Sequence, residues 1–370
     1  MRKIRDSNMV KQYKVRNIAT IIISLFLILL ATICLLQFQQ VEKEKIEKQK
    51  LNGLRIFFPE SEISALLYDG KHIWVGGRDG VYLIDPQSGK IIREIAKDIQ
   101  MTYTAGICQL DDNSVWIGHE NGVTIFNDNH RIDFTSPQIP SGRVNTVVSD
   151  GSAGVWAGTQ TGAVHFLKKD GNYVIDKILT SKDGLKEDAV NTIALRENHS
   201  IWFGAYLANK VGGLSILKDG EWQYFSVQQG LPHRYITATI PISEEYMLVG
   251  LGHLDRGGMA LFRCDDNQTV LETVYSIDDG LPGEKIRQLY LDSKEHLWIT
   301  SESDGLLICP SYKALHKLPL EGKYLTTRDG LSDDEIKTII EAEGYYWLGG
   351  RYGLTRIEAA TIEEFFVDLK

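Results

Sequence analysis

A tryptophan followed two residues later by a glycine recurs along most of this chain, and this repetition restricts its possible folds more than any other feature. Six of the seven tryptophans belong to such segments, and a leucine takes the tryptophan's place in one further copy. The positions are, in order, Trp74, Trp116, Trp156, Trp202, Leu248, Trp298 and Trp347. Because they lie 40 to 50 residues apart, the chain is a repeat protein of seven units.

Each unit alternates apolar runs with turn residues, which predicts strands rather than helices. One apolar run precedes the tryptophan, a second contains it and a third follows the later glycine. A fourth is clearest at Glu221–Val227 and Val270–Ile277. Four strands in each of seven units predict an all-β fold, a single seven-bladed β-propeller over residues 54–370. A β-sandwich would not need the same tryptophan segment in every hairpin. Ring closure should come from Leu54–Phe58, with Thr361–Asp368 as a competing candidate.

An Asp-Gly-Leu element, or a close variant, lies in the links between later units. The copies are Asp183-Gly184-Leu185, Gln229-Gly230-Leu231, Asp279-Gly280-Leu281 and Asp329-Gly330-Leu331. With the tryptophan segment, this pattern resembles the two-component regulator propeller repeat, found in the sensor regions of bacterial hybrid histidine kinases. The resemblance covers residues 54–370 and implies perception of an extracellular ligand, often a glycan fragment. Two positions depart from the pattern, Leu248 and Thr300, and no kinase portion follows, so kinase activity is not implied.

An uncharged apolar run over residues 18–38 predicts one transmembrane helix at the start of the chain. Its 21 residues would span about 31 Å as a helix, close to the thickness of a bilayer's hydrocarbon core. A cleaved signal peptide is the alternative, but small residues at a cleavage site are lacking. Basic residues dominate 1–17, which predicts that this tail is cytoplasmic and that the propeller is extracytoplasmic. Residues 39–53 between the helix and the propeller are polar and predict a stalk.

The propeller region is acidic. The first 16 residues contribute +5 and residues 41–50 contribute +1 to a total of −9, which leaves −15 for the remainder. Such a charge argues against nucleic acid as a partner.

Catalytic and metal motifs are not found in the sequence: there is no nucleotide loop, paired-histidine motif or nucleophile elbow. The acidic pairs Asp111-Asp112 and Asp265-Asp266 could hold calcium but sit where turns need aspartate. We therefore expect no cofactor and no bound metal.

The units differ most in one loop, and that difference predicts a binding site. Ten or eleven residues separate the tryptophan position from the following glycine in units four and five, against six or seven elsewhere. In a propeller, this loop and the link between blades lie on the same face, so three segments should converge. The candidate residues are Tyr206, Asn209, Lys210, His233, Arg234, Tyr235, His253, Asp255 and Arg256. Solvated loops of variable length are the alternative interpretation.

The sequence therefore predicts a membrane-anchored, extracytoplasmic and non-catalytic module. It would bind an unknown ligand, possibly a glycan, or an envelope or signalling protein, acting as a sensor or a scaffold. The alternative is a polysaccharide lyase or glycosidase, which would need an acid/base pair such as His253 with Asp255 or Glu302.

Overall fold

The computed structural model describes residues 28–29, 31–35, 37, 51, 53–95, 101–127, 130–151, 154–207, 211–265 and 268–367, and these form two separate units divided after Lys50. Residues 28–29, 31–35 and 37 are helical, and the rest of the predicted membrane span lies outside the described residues. No helix in the described part of the chain is long and apolar enough to cross a membrane.

Within the described ranges, 28 strands form seven four-stranded antiparallel sheets, which confirms the seven-bladed propeller. The inner strands of blades 1 to 7 are β2 (Ile63–Tyr68), β6 (Gly106–Gln109), β10 (Val144–Ser149), β14 (Val190–Leu195), β18 (Ile236–Pro241), β22 (Ile286–Leu291) and β26 (Ile336–Ala342). The second strands are β3 (Ile73–Gly77), β7 (Val115–His119), β11 (Gly154–Thr159), β15 (Ile201–Ala205), β19 (Tyr246–His253), β23 (Leu297–Ser301) and β27 (Tyr345–Gly350).

The third and fourth strands complete each blade towards the outside. The third strands are β4 (Gly80–Ile84), β8 (Gly122–Asn127), β12 (Gly162–Lys169), β16 (Leu214–Lys218), β20 (Arg256–Cys264), β24 (Leu306–Cys309) and β28 (Gly353–Glu358). The outer strands are β5 (Ile91–Glu94), β9 (His130–Phe134), β13 (Asn172–Leu179), β17 (Glu221–Phe225), β21 (Thr269–Tyr275), β25 (Lys323–Leu325) and, in blade 7, β1 (Arg55–Phe57).

Ring closure uses the start of the propeller region. Strand β1 pairs antiparallel with β28 and so supplies the outer strand of the last blade, as predicted for Leu54–Phe58. The competing C-terminal segment instead forms helix α1 (Ala359–Glu364) and a turn after it, and Ile362 of the helix and Phe366 of the turn pack against the core of blades 6 and 7.

The glycine of each tryptophan segment is required for contact between blades. A Cβ atom added there would lie 2.5 to 2.9 Å from a side chain in, or just before, the next blade's inner strand. These glycine and neighbour pairs are Gly76 with Thr104, Gly118 with Val144, Gly158 with Val190, Gly204 with Ile236, Gly250 with Ile286, and Gly349 with Ile63. The sequence element therefore sets how closely adjacent blades approach.

Thr300 in blade 6 departs from this rule with a compensating bond. Its hydroxyl donates to the carbonyl of Ile336 in blade 7 at 2.8 Å and accepts the backbone N–H of Gln288 at 2.9 Å. The threonine thus joins the two blades by a hydrogen bond where other blades use close packing. Leu248, the other departure, is fully buried in the tryptophan's place.

Three of the four Asp-Gly-Leu elements build short 3₁₀ helices, at Val227–Gln229, Ile277–Asp279 and Thr327–Asp329, and the copy at Asp183 forms a turn. In the second of these, the Asp279 carboxylate accepts both the N–H and the hydroxyl of Ser276. Gly280 ends the turn at φ +98°, a conformation that favours glycine, and its carbonyl accepts the hydroxyl of Tyr324. The motif that carried the family resemblance is therefore explained by the architecture of the links.

Asp292 holds together blades 6 and 7 at the turn after β22. One of its buried carboxylate oxygens accepts three side-chain donors: the indole of Trp298 at 2.9 Å, the imidazole Nδ1 of His296 at 2.9 Å and the hydroxyl of Tyr346 at 2.7 Å. Tyr346 belongs to the next blade, so this carboxylate joins two sheets.

Candidate functional site

A polar cavity of about 510 Å³ opens at the centre of the propeller, on the face that carries the long loops. In six inner strands, a β-bulge places one residue outside the paired register near the start of the strand. These bulged residues all line the cavity: Ser64, Asn145, Asn191, Thr237, Arg287 and Lys337. Because a bulge redirects a side chain, the repeated irregularity gives the channel its polar wall.

The wall changes character around the ring. In blades 1, 3 and 4 the bulged residue donates to a backbone carbonyl of the following blade, as Asn145 does to Val190 at 2.9 Å. In blade 7, Lys337 instead pairs with Glu62 at 2.8 Å. Burial raises the pKa of the Glu62 carboxyl, but the hydrogen bond and charge of Lys337 outweigh it, so the pKa is lowered. The bulged residues are therefore neutral in blades 1, 3 and 4 and ionic in blade 7.

Four side chains from three neighbouring blades meet at the edge of this cavity, and we call Tyr206, Tyr235, His253 and Lys285 the rim cluster. The Tyr206 hydroxyl lies 3.2 Å from His253 Nδ1 and 3.0 Å from the Lys285 ammonium. The Tyr235 ring contacts the rings of Tyr206 and His253, with centroids 5.1 and 5.4 Å apart. The Lys285 ammonium donates to the Tyr206 hydroxyl, which also contacts His253, so Tyr206 links blades 4, 5 and 6.

The residues before Tyr235 complete the cluster's outer edge. The Arg234 guanidinium lies over the Tyr235 ring, 4.8 Å from its centroid, and donates to its hydroxyl at 2.9 Å. His233 contacts the same ring and accepts the backbone N–H of Tyr235 on Nδ1 at 3.0 Å. Arg234 is thus exposed to solvent but held in a defined position.

Of the residues predicted from the sequence, five are brought together: Tyr206, His233, Arg234, Tyr235 and His253. Asp255 and Arg256 are exposed at the tip of the β19–β20 hairpin, where Arg256 pairs with His253 in the strand register. Asn209 and Lys210 lie outside the described residues.

Two residues of the site were not predicted. Lys285 occupies in blade 6 the position that Tyr235 occupies in blade 5, directly before the inner strand, so aligning the units would have revealed it. Glu187 is buried beneath the blade 4 loop, and its carboxylate accepts the N–H groups of Val211 and Gly212. It therefore orients the loop that carries Tyr206.

The pairs suggested for a lyase or glycosidase, His253 with Asp255 or Glu302, do not form hydrogen bonds or ion pairs among the described side chains. Glu302 forms an ion pair with Lys285, and His253 Nδ1 is engaged by Tyr206. Neither Glu302 nor Asp255 contacts His253 in the part of the chain that the structure describes.

The rim cluster should loosen in acid. The pKa of His233 lies below its ordinary value of 6.5 because burial disfavours the charged ring and His253 and Arg234 repel it. Because its pKa is lowered, neutral His233 contributes to the stability of the fold above pH 6.5, and this contribution is lost as the pH falls. Deuterium exchange of residues 226–240, corrected for the intrinsic rate, should be about threefold faster at pH 5 than at pH 7.

The His233→Asn variant provides the control, since an amide oxygen can accept the Tyr235 N–H at either pH. It should exchange at the same corrected rate at both. Equal rates in the unmodified protein would show that His233 does not hold this link.

Comparison with models of protein families gave no match, and neither did comparison with curated proteins. Solved structures do match. The extracellular domain assigned to the hybrid two-component system BT3049 of B. thetaiotaomicron superposes with a TM-score of 0.67 at 17% identity, over 84% of this chain and 40% of that one. The chain has the same fold as this extracellular domain. This chain spans about two fifths of the length of the BT3049 domain.

Other propellers superpose over a similar part of the chain. The extracellular domain assigned to BT4673 of the same organism gives a TM-score of 0.62 at 17% identity, over 82% of this chain and 40% of that one. YCF48 bound to a D1 peptide gives a TM-score of 0.58 at 12% identity, over 84% of this chain and 98% of that one. PorZ, a surface component of the type-IX secretion system of Porphyromonas gingivalis, gives a TM-score of 0.53 at 12% identity, over 83% of this chain and 45% of that one.

Proposed function

We propose that this protein is a membrane-anchored, extracytoplasmic propeller that binds a ligand or a partner protein without catalysis, in signalling or in an envelope complex. The observation that carries the proposal is the convergence of loops from blades 4 and 5 and two links into the rim cluster, whose Tyr206 lines the cavity. Aromatic and cationic groups on loops of a rigid scaffold are typical of binding sites.

Several features support binding rather than turnover. Glu62 pairs with Lys337 at the cavity wall and Glu302 pairs with Lys285 of the rim cluster, so these charges serve structure. The solved structures of similar fold include extracellular domains of two-component systems and a propeller bound to a peptide. Anchoring through residues 18–38 and an outward-facing propeller remain part of the proposal.

Arg234→Ala should weaken binding without affecting stability, because the exposed guanidinium contributes to the surface and not to the core. The full-length protein in detergent is applied to arrays of glycans, peptides and small metabolites. We expect at least a tenfold loss of affinity for the captured compounds and a melting temperature within about 2 °C of the unmodified protein.

Arg263→Ala is the matched control, since Arg263 is an exposed, ion-paired arginine near the opposite end of strand β20. It should bind as the unmodified protein does. Equal capture by Arg234→Ala would remove the rim cluster as the site. Mass spectrometry of captured glycans separates the alternatives: intact compounds support binding alone, and cleaved ones support the lyase or glycosidase.

A further inference from the structure

Two exposed leucines flank the rim cluster. Leu207 directly follows Tyr206, and Leu254 directly follows His253, while the Tyr206 hydroxyl and His253 Nδ1 are 3.2 Å apart. Leu207 is 47% exposed and Leu254 is 71% exposed. In each of two neighbouring blades, one residue therefore contributes its ring to the rim cluster and the leucine that follows it is exposed to solvent.

Both leucines have a backbone conformation that suits neither their size nor their shape. Their φ angles are +51° and +52°, in the left-handed region where bulky side chains are uncommon and glycine or asparagine is favoured. Asparagine at either position would relieve this strain and would suit solvent better. Nine other non-glycine residues of the described chain share this conformation, so the backbone alone does not mark the site. What neither backbone geometry nor core packing explains is an exposed leucine at both positions beside the rim cluster.

The surroundings of the leucines match the core of a protein interface. Tyrosine and arginine are the residues most enriched there, and Arg234 lies flat on Tyr235 in a fixed position. At the hairpin tip the exposed Asp255 and Arg256 offset each other, so the exposed Arg234 leaves this surface with a net positive charge in a protein whose net charge is −9. Its electrostatic complement is a carboxylate.

The positions of the two leucines favour a protein over a small molecule. Leu207 lies at the edge of the central cavity, whereas Leu254 lies outside it, at the tip of the β19–β20 hairpin. A compound seated in the cavity would leave the hairpin tip uncovered. A polypeptide laid across the rim would cover both.

We propose that Leu207, Leu254 and Arg234 form a docking point for a protein segment that presents an apolar side chain beside an acidic one. This inference rests on the proposed binding function and specifies the partner of the same site. The leucines supply apolar contact area and Arg234 pairs with the partner's carboxylate.

A random peptide library displayed on phage is selected against the full-length protein, and the enriched peptides are measured on Leu207→Asn and Leu254→Asn. Enriched peptides should combine Asp or Glu with Leu, Phe or Trp. Each variant should bind them at least tenfold more weakly while its melting temperature stays equal or rises. This opposite effect on binding and stability distinguishes a strained contact residue from a packing residue.

Ile91→Asn on strand β5 is the matched control, since Ile91 is 53% exposed and far along the ring, and it should bind as the unmodified protein does. Unchanged binding by both leucine variants, or a lower melting temperature in both, overturns the inference. Absence of enriched peptides, with array compounds still captured through Arg234, overturns the inference but leaves the proposed function standing. If no peptide is enriched and no array compound is captured, both the inference and the proposed function are overturned.

Discussion

Asp292→Ala is expected to lower the free energy of unfolding by on the order of 4 kcal/mol. The substitution leaves the donors of Trp298, His296 and Tyr346 buried without an acceptor and removes a link between blades 6 and 7. Burial and the hydrogen bond to Asp292 raise the pKa of the Tyr346 phenol, so this donor stays protonated at neutral pH. Urea unfolding followed by tryptophan fluorescence measures the loss.

Two variants make the test specific. Tyr346→Phe removes one donor and keeps the carboxylate, so about 1 kcal/mol is expected. Asp69→Ala removes the equivalent acceptor of blade 1, which bonds the Trp74 indole at 2.8 Å but is partly exposed, so water can replace it. If Asp69→Ala costs as much as Asp292→Ala, burial between blades is not the source of the effect.

Gly349→Val is expected to cost about 3 kcal/mol through overpacking between blades 7 and 1. A Cβ atom at this position would already lie 2.7 Å from Ile63 Cγ2 and 2.9 Å from the Ile63 carbonyl oxygen. Relief would require blade 1 to move away, and the ring offers little room because each blade packs on the next. The melting temperature and the yield of soluble protein report the loss.

Thr300→Val is the control for this substitution, because blade 6 already accommodates a β-branched residue at the same position. Valine keeps the shape and loses the hydrogen bonds to the Ile336 carbonyl and from the Gln288 N–H, so about 1 to 2 kcal/mol is expected. Equal losses in the two variants would show that close packing by glycine is not what joins the blades.

The repeated elements made the fold predictable from the sequence, because each one serves a local geometric need in every blade. The tryptophan segment provides the contact between sheets, the Asp-Gly-Leu element builds a capped turn, and the extra strand at Leu54–Phe58 marked the closure. The competing C-terminal segment was harder to judge, since a short apolar run suits a helix or a strand equally well.

The candidate site was predictable only where it breaks the repeat. Loop length pointed to Tyr206 and His253, whereas Lys285 lies at a regular position of its unit and gave no such signal. The left-handed backbone of Leu207 and Leu254 could not be inferred at all, because sequence patterns there favour glycine or asparagine. Contacts between blades decide these features, and one unit's sequence does not contain them.

A pull on the chain ahead of Leu54 would load the last blade before the first. Strand β1 is held to β28 by only three residue pairs, and the N–H of Leu51 bonds the Asp329 carbonyl between blades 6 and 7. Tension would therefore peel the outer strand of blade 7 while blades 2 to 5, which carry most of the rim cluster, stayed intact. Mechanical failure of this ring would begin on the side away from its candidate binding loops.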